Sequence, residues 1–280
     1  MIAHKKEIGG IKGMNLPDLS QEYPVSKEQV RAYQRDGHIL LRGVASTAEV
    51  SAYRPFIVET VEKHRKEMIS RGESPSEKAF IQIMNLWRTI GAMRGFTLAR
   101  RFAKIAADLM GVRGVRLYQD IVFFKEAGGK FTAWHQDNTY SPLDTDNTIA
   151  MWMPLVDVSA EMGALTFATG SHKHGALSSL AISDQSEEYF RKLIAQRGFP
   201  VVRNSMKAGD ATFHSGWMLH HASPNGTNKT REAMVVIYFE DGARIAKPDN
   251  PHKESDMRYF PGCKPGDLAA SEINPALFSG

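Results

Sequence analysis

One cysteine, Cys263, occurs in 280 residues. An internal disulfide and a thiolate-cluster metal site are therefore excluded, and a reducing compartment suits the chain. Long apolar runs are missing too. No stretch approaches the ~20 consecutive apolar residues of a membrane-spanning helix, and the opening MIAHKKEIGGIKGMN contains none. A soluble, cytoplasmic protein with no membrane partner is expected. A GxGxxG turn and a GxxxxGKS/T loop are also absent, which removes the usual dinucleotide and P-loop readings. There is no internal repeat and no low-complexity tract. Excess charge of either sign is small: 35 Lys and Arg against 31 Asp and Glu leave +4. Interspersed as it is, that excess gives no footprint for a nucleic-acid partner.

What remains is ample material for a core, with 42% hydrophobic and 24% charged residues. Residues 1–25 read as an extended lead-in, punctuated by Gly9, Gly10, Gly13 and Pro17. Ser26 with Gln29 and Ser46 with Glu49 have capping-box spacing and open two helices. The second carries Val50, Phe56, Ile57 and Val61 toward Met68, and Gly72 and Pro75 end it. HILLRG (38–43) between them reads as a short strand, and AFIQIMNLWR (79–88) has strand-like content. Leu98, Phe102, Ile105 and Leu109 follow at helical spacing, closed by Gly111. Thereafter the period shortens. VRLYQDIVFFK (115–125), TIAMWMPLVDV (148–158), ALTFATG (164–170), AGDATFHSG (208–216) and EAMVVIYFE (232–240) read as strands, with a helix inserted at about 183–198. From Asp241 a Pro- and Gly-rich tail is expected to wrap the surface. A helical front followed by short strands indicates a β-sandwich or closed barrel flanked by helices. Residues 26–280 are read as one domain.

The chemistry lies in the histidines. His135 and Asp137, two apart in WHQD, would face the same side of an extended strand with Cα atoms roughly 6.5–7 Å apart. An imidazole and a carboxylate supply two of the three ligands of a 2-His-1-carboxylate site. His172, His174, His214, His220 and His221 are candidates for the third. His220 and Arg231 stand eleven residues apart around a Pro-Asn-Gly turn, so a hairpin can return the arginine beside the histidine. A buried guanidinium pairs with both oxygens of a carboxylate and does not deprotonate, which suits a dicarboxylic cosubstrate.

WHQDNTY (134–140), IAMWMPLVDVSAEMGALTFATGSHK (149–173), HHASPN (220–225) followed by Arg231, and FPGCKPGD (260–267) together resemble the phytanoyl-CoA dioxygenase family of Fe(II)- and 2-oxoglutarate-dependent oxygenases. The resemblance spans about residues 27–270. It implies a mainly β chain with flanking helices, a double-stranded β-helix or cupin-like jelly roll, in which residues 26–280 form a single oxygenase domain. By the family's spacing to the turn asparagine and the arginine, the metal and catalytic residues would be His135, Asp137 and His220, counted through Asn225 and Arg231. His221 would point to the other face of its strand. Arg231 would bind the distal carboxylate of 2-oxoglutarate, with Gln119 and Trp152 around the cosubstrate; Trp152 equally fits core packing. Asn85, Trp87 and Arg88 would line the substrate mouth, and Trp134, Trp217 and His214 would form walls beside the metal.

The implied reaction, using Fe(II), 2-oxoglutarate and O2, is hydroxylation of an unactivated C–H bond of a small, partly apolar metabolite, secondary or amino-acid-derived, releasing succinate and CO2. Desaturation, epoxidation and rearrangement are alternatives within the family; a non-catalytic jelly-roll binding protein is the alternative outside it. The retained Asp137 disfavours halogenation, and the lack of a dense Lys/Arg cluster disfavours a CoA ester. Apolar patches leave a homodimer open.

Overall fold

The computed structural model describes residues 15–74 and 79–280. The expected lead-in therefore falls largely outside the described residues, as does Pro75. In its described portion, Leu19 is buried. Ser26 accepts from the Gln29 N–H while the Gln29 side chain accepts from the Ser26 N–H, and this reciprocal cap starts α1 (Lys27–Asp36). Gly37, left-handed, ends it and leads into β1 (His38–Leu41). Ser46 and Glu49 repeat the cap at the head of α2 (Thr47–Ser70). Val50, Tyr53, Ile57 and Val61 form its buried stripe; Tyr53, rather than the half-buried Phe56, completes the three-four spacing.

The segment 79–88 is not one strand. β2 (Phe80–Met84) ends at Asn85, whose φ of 57° is left-handed, a conformation asparagine tolerates better than most residues. Two one-turn helices follow, α3 (Leu86–Thr89) and α4 (Met93–Thr97). Asp120 holds this corner: its carboxylate accepts from the Trp87 N–H at 3.2 Å and the Thr97 hydroxyl at 2.6 Å. α5 (Arg100–Met110) ends at left-handed Gly111 and buries Phe102, Ile105 and Leu109 completely.

The strands form two sheets. The larger contains β1, β8 (Ala211–Ser215), β5 (Thr148–Pro154), β10 (Arg231–Glu240), β3 (Gly114–Lys125) and β11 (Ala276–Ser279) in that order, with β2 also paired to β3. The smaller runs β4 (Thr132–His135), β9 (His220–Ala222), β6 (Leu165–Ala168), β7 (Val201–Arg203). Every pairing between these strands is antiparallel, and with the flanking helices the two sheets make the expected jelly roll. α6 (Asp184–Arg197) covers the small sheet, where Phe190 and Ile194 pack with Trp134 and Leu219.

Alternation assigns each side chain of the large sheet to a face. Ile149, Met151 and Met153 of β5 and Met234, Val236 and Tyr238 of β10 meet the helices. Ala150, Trp152, Ala233 and Val235 point instead toward the small sheet. Burying each large side chain of the helical layer contributes roughly 1.5–3 kcal/mol, so this layer is the main stabilising core.

In β3 the alternation changes phase. Val115 and Leu117 face the helices, and so do Val122 and Phe124, an odd number of residues later. The pairing with β10 passes from Gln119 directly to Leu117, leaving Tyr118 as a bulge. Tyr118 and Gln119 therefore both line the space between the sheets.

The tail departs from its expected role as a surface wrap. It forms α7 (Pro251–Asp256), buries Tyr259 and Phe260 against Tyr118 and Phe239, and adds β11 to the edge of β3. Its Pro and Gly residues mark turns between ordered pieces. Among the described residues, no helix is long and apolar enough to cross a membrane.

Candidate metal centre

β4 and β9 pair with His135 opposite His220. Their rings meet on the inner face with centroids 4.1 Å apart, while Trp134 and His221 stack on the outer face at 4.8 Å. Strand alternation thus sends the two adjacent histidines to different tasks. His220 turns inward. His221 reaches the cavity wall, but its ring lies on Trp134 with Nδ1 3.7 Å from Glu187.

Asp137 does not continue the strand, as the simple two-residue argument requires. β4 stops at His135, and Asp137 opens a 3-10 turn, Asp137–Thr139. The turn still aims the carboxylate at the histidines. Asp137 Oδ1 lies 3.5 Å from His135 Nε2 and 3.7 Å from His220 Nε2, and ligating atoms of all three residues fall within 4.8 Å of one another. This is a 2-His-1-carboxylate facial triad.

The imidazoles are set up to ligate. His135 Nδ1 meets the Ala133 carbonyl at 2.7 Å, and His220 Nδ1 meets the Met218 carbonyl at 2.9 Å. With the proton on Nδ1, each Nε2 lone pair is free for a cation. Burial, with the neighbouring His135, holds His220 well below the ordinary histidine range and therefore neutral. Burial pushes the Asp137 carboxyl upward, but His220, His135 and His214 outweigh it and hold the group well below the usual carboxylate range. Two imidazoles presenting Nε2 and one carboxylate are the donor set that Fe(II) takes.

The backbone behind the triad is tied on both sides. The Asn138 N–H donates to the Gly216 carbonyl at 2.9 Å, and the Thr148 hydroxyl donates to the Asn138 side chain. Gly216 has to be glycine here: a Cβ would sit 2.0 Å from Thr148 Oγ1 and 2.2 Å from Asn138 Oδ1. Gln136, between the ligands and 1% exposed, donates to the Gly175 and Trp217 carbonyls and accepts from the Leu177 N–H. His214 stands beside the triad, its Nε2 3.4 Å from Asp137 Oδ2 and its ring nitrogens without hydrogen-bond partners among the described residues.

A cavity of about 370 Å³ opens from the triad between the sheets. Arg231 ends one side of it, 2% exposed. Its Nη1 donates to the Gly163 carbonyl at 2.7 Å, its guanidinium lies 5.6 Å over the Trp152 ring, and its Nε has no partner among the described residues. Gly163 holds a left-handed φ of 81°, and a Cβ there would meet the Ser223 carbonyl at 2.7 Å. Lys125 is directly opposite Arg231 in the β3–β10 register and fully buried, its Nζ donating to the Ser223 carbonyl at 3.0 Å. Burial, then Arg231, lowers the Lys125 ammonium to about 7, and burial lowers Arg231 to about 10.

Among the described residues, no carboxylate lies within ion-pair distance of either cation. Of the two, Arg231 lines the cavity; a desolvated guanidinium without a counter-charge, with a buried ammonium beside it in the register, is a cradle for an anion. Gln119 and Trp152 line the same cavity, and Gln119 Oε1 is buried without a partner. The triad and this cradle fit an Fe(II) ion and a bound dicarboxylate.

Asn85, Trp87, Arg88, Trp134 and Trp217, expected at the substrate mouth and beside the metal, do not line the cavity. Trp87 packs in the helical core, Asn85 forms the left-handed corner, and Arg88 faces solvent 3.8 Å from Glu272. Trp134 lies under His221 and α6. Trp217 donates to Asp146 at 2.6 Å. The walls come instead from Phe80, Phe123 and Ile121, and from Tyr118, Asp256 and Tyr259 near the tail. Sequence reasoning passed over Lys125, because the expected hairpin joined Arg231 to the His220 strand; β9 and β10 instead lie in different sheets, and β10 pairs with β3, which sets Lys125 against Arg231. Tyr118 depends on a bulge and Asp256 on the path of the tail, and neither leaves a local signal.

Comparison with known proteins agrees with this geometry. The family model described as phytanoyl-CoA dioxygenase (PhyH) matches residues 33–233. A phytanoyl-CoA dioxygenase of Arabidopsis thaliana is 28% identical over 156 residues, 55% of this chain and 55% of that protein, so the match spans about half the length of that relative. The phytanoyl-CoA dioxygenase domain-containing protein 1 homolog of Dictyostelium discoideum is 23% identical over 270 residues, 81% of this chain and 95% of that one. Among solved structures, the non-haem α-ketoglutarate-dependent carbocyclase SnoK from nogalamycin biosynthesis superposes with a TM-score of 0.72 at 25% identity, covering 90% of this chain and 96% of that one. EctD from S. alaskensis with 2-oxoglutarate and 5-hydroxyectoine shares the fold, with a TM-score of 0.66 at 19% identity over 91% and 92% of the chains.

Proposed function

The chain belongs to the phytanoyl-CoA dioxygenase family and is an Fe(II)- and 2-oxoglutarate-dependent oxygenase, and on that premise we propose that it hydroxylates an unactivated C–H bond of a small, partly apolar metabolite. The observation that carries this reading is the triad His135, Asp137 and His220 opening into an apolar-walled cavity with an uncompensated cationic end. When bound, Fe(II) and 2-oxoglutarate supply the oxidation, in which R–H, O2 and 2-oxoglutarate become R–OH, succinate and CO2.

The chain's own residues supply binding, orientation and dryness. Arg231 takes the distal carboxylate, its unpartnered Nε and remaining N–H groups forming the fork. Lys125 beside it adds a second positive charge in a medium where charge is weakly screened. Trp152 packs under the guanidinium, and Gln119 faces the middle of the cosubstrate. Phe80 and Phe123, stacked at 5.6 Å, with Ile121 and Val235, keep water from the reacting carbon. Residues 26–280 act as one oxygenase domain in this reading, and a CoA ester is disfavoured because the described residues lining the cavity include only two cations, Arg231 and Arg258.

Oxidative ring closure is the second reading, favoured by the likeness to a carbocyclase at 25% identity. Mass spectrometry of a metabolite library, coupled to succinate release under 18O2, tests both. Hydroxylation adds one labelled oxygen atom to the product; ring closure removes two hydrogens and adds none. Succinate release with an unchanged metabolite in every case would refute both.

A further inference from the structure

The cavity's end beside the tail has a chemistry that oxidation at iron does not require. Asp256, the last residue of α7, lines it and is the one carboxylate among the described lining residues besides the metal ligand Asp137. Its side chain is 13% exposed. It accepts one long hydrogen bond, from the Tyr118 hydroxyl at 3.2 Å. The nearest cation is Arg258, which also lines the cavity. Its Nη2 is 3.7 Å away, a long ion pair beyond hydrogen-bond reach, and its guanidinium lies 4.8 Å over the Tyr259 ring, on a side chain 60% exposed.

A carboxylate can accept about four hydrogen bonds, so most of this one's capacity is unused in a largely apolar space. Tyr118 and Tyr259, with ring centroids 5.9 Å apart, stand around it. A carboxylate flanked by aromatic rings is a complementary seat for an ammonium group, through charge-assisted hydrogen bonds and ring quadrupoles. Burial raises the Asp256 carboxyl to about 6, against the lowering effects of Arg258, Tyr118 and His252; the protein's own charges therefore leave it under-compensated.

We infer that Asp256, Tyr118 and Tyr259 form a subsite for a protonated amine, so that the oxidised metabolite carries a basic nitrogen at the end away from the reacting carbon. The inference rests on the oxygenase reading. The bulge at Tyr118 then has a purpose: it turns two successive residues into the cavity, Gln119 toward the cosubstrate and Tyr118 toward the amine.

Binding of three probes to the full chain under nitrogen, loaded with Fe(II) and 2-oxoglutarate, tests it. 4-Phenylbutylammonium, 4-phenylbutanol and 4-phenylbutyrate differ only in the terminal group. Calorimetry should show the ammonium bound about tenfold more tightly than the alcohol, the worth of one charge-assisted contact, and the carboxylate more weakly than either. Asp256→Asn should abolish the preference while leaving the visible iron–cosubstrate absorption intact. In wild type, ammonium affinity should fall as pH drops through 6 while alcohol affinity holds. His252→Gln serves as the control for the nearby histidine, and burial holds both tyrosines above their ordinary range and so neutral throughout.

Equal binding of alcohol and ammonium would overturn the inference. So would tighter binding of the carboxylate, which would make Arg258 the reader. No ammonium binding at millimolar concentration, or an unchanged preference in Asp256→Asn, would also overturn it. If the absorption itself never forms in wild type, the oxygenase reading fails instead.

Discussion

Replacing Arg231 by methionine should separate the stability of this chain from its affinity for 2-oxoglutarate. Arg231 is 2% exposed, with one hydrogen bond, to the Gly163 carbonyl, and no carboxylate partner among the described residues. Burial lowers its pKa to about 10 from an ordinary value above 12. At about 1.4 kcal/mol per unit, the ligand-free fold bears roughly 3 kcal/mol of unfavourable charge there. Methionine removes that burden and is close enough in length to pack on Trp152. It also leaves the Gly163 carbonyl unpaired, which costs about 1–3 kcal/mol. The two effects nearly cancel, so ligand-free stability should stay within about 2 kcal/mol of wild type.

The cosubstrate has no such compensation. A two-pronged charge-assisted contact is worth about 3–5 kcal/mol, or roughly 10²–10³·⁵ in Kd. Thermal unfolding under nitrogen with Fe(II) reads both quantities. At about 100 times its Kd, 2-oxoglutarate adds ~2.7 kcal/mol to wild type, or about 5–10 °C at this size, and Arg231→Met should show almost none of that gain. A ligand-free loss above about 4 kcal/mol, outside what the lost hydrogen bond can cost, would make Arg231 a structural residue. Cosubstrate affinity within a few-fold of wild type would place the distal carboxylate elsewhere.

Two further outcomes follow from the same site. Gly216→Ala would drive a Cβ to 2.0 Å from Thr148 Oγ1 and 2.2 Å from Asn138 Oδ1, forcing the Asp137 turn to move. It should weaken Fe(II) binding at least tenfold and lower the melting temperature, and unchanged metal affinity would show that the turn tolerates the shift. Lys125 titrates near 7 because of burial and Arg231, and a bound dianion favours its protonated form. As pH rises from 7 to 9 the site must take up a proton to bind, so 2-oxoglutarate Kd should weaken by a few-fold to about tenfold. Lys125→Met should flatten that dependence. Calorimetry in buffers of different ionisation heat measures the proton directly, and no uptake at pH 8 in wild type would contradict the assignment.

How much of this could be read beforehand follows the range of each determinant. Ser26–Gln29 and Ser46–Glu49 are three-residue caps, and both form as expected. The long, mostly apolar runs of β5 and β10 announce themselves because both faces are buried. The His135, Asp137 and His220 constellation was legible through motif order, although Asp137 reaches the metal from a 3-10 turn rather than a strand. Other features depend on partners distant in sequence. Asn85 breaks the 79–88 segment because Asp120, on another strand, organises the corner. Tyr118 enters the cavity through a bulge defined only by its pairing with β10. Ala276–Ser279 become a strand because the β3 edge is open at Gly114–Arg116, and Asp256 reaches the cavity only by that return path. The aromatic residues Trp87, Trp134 and Trp217 suggest pocket walls by type, but helix and strand phase direct them elsewhere.

The central claim is that His135, Asp137 and His220 hold Fe(II) where 2-oxoglutarate can join it. Anaerobic titration of the full chain with Fe(II) and then 2-oxoglutarate, followed by visible absorption, tests it most directly. Wild type and His221→Ala should both develop the weak metal-to-ligand charge-transfer band, and His220→Ala should not. A folded, iron-loaded wild type without the band, or a band that survives His220→Ala and vanishes in His221→Ala, would contradict the account.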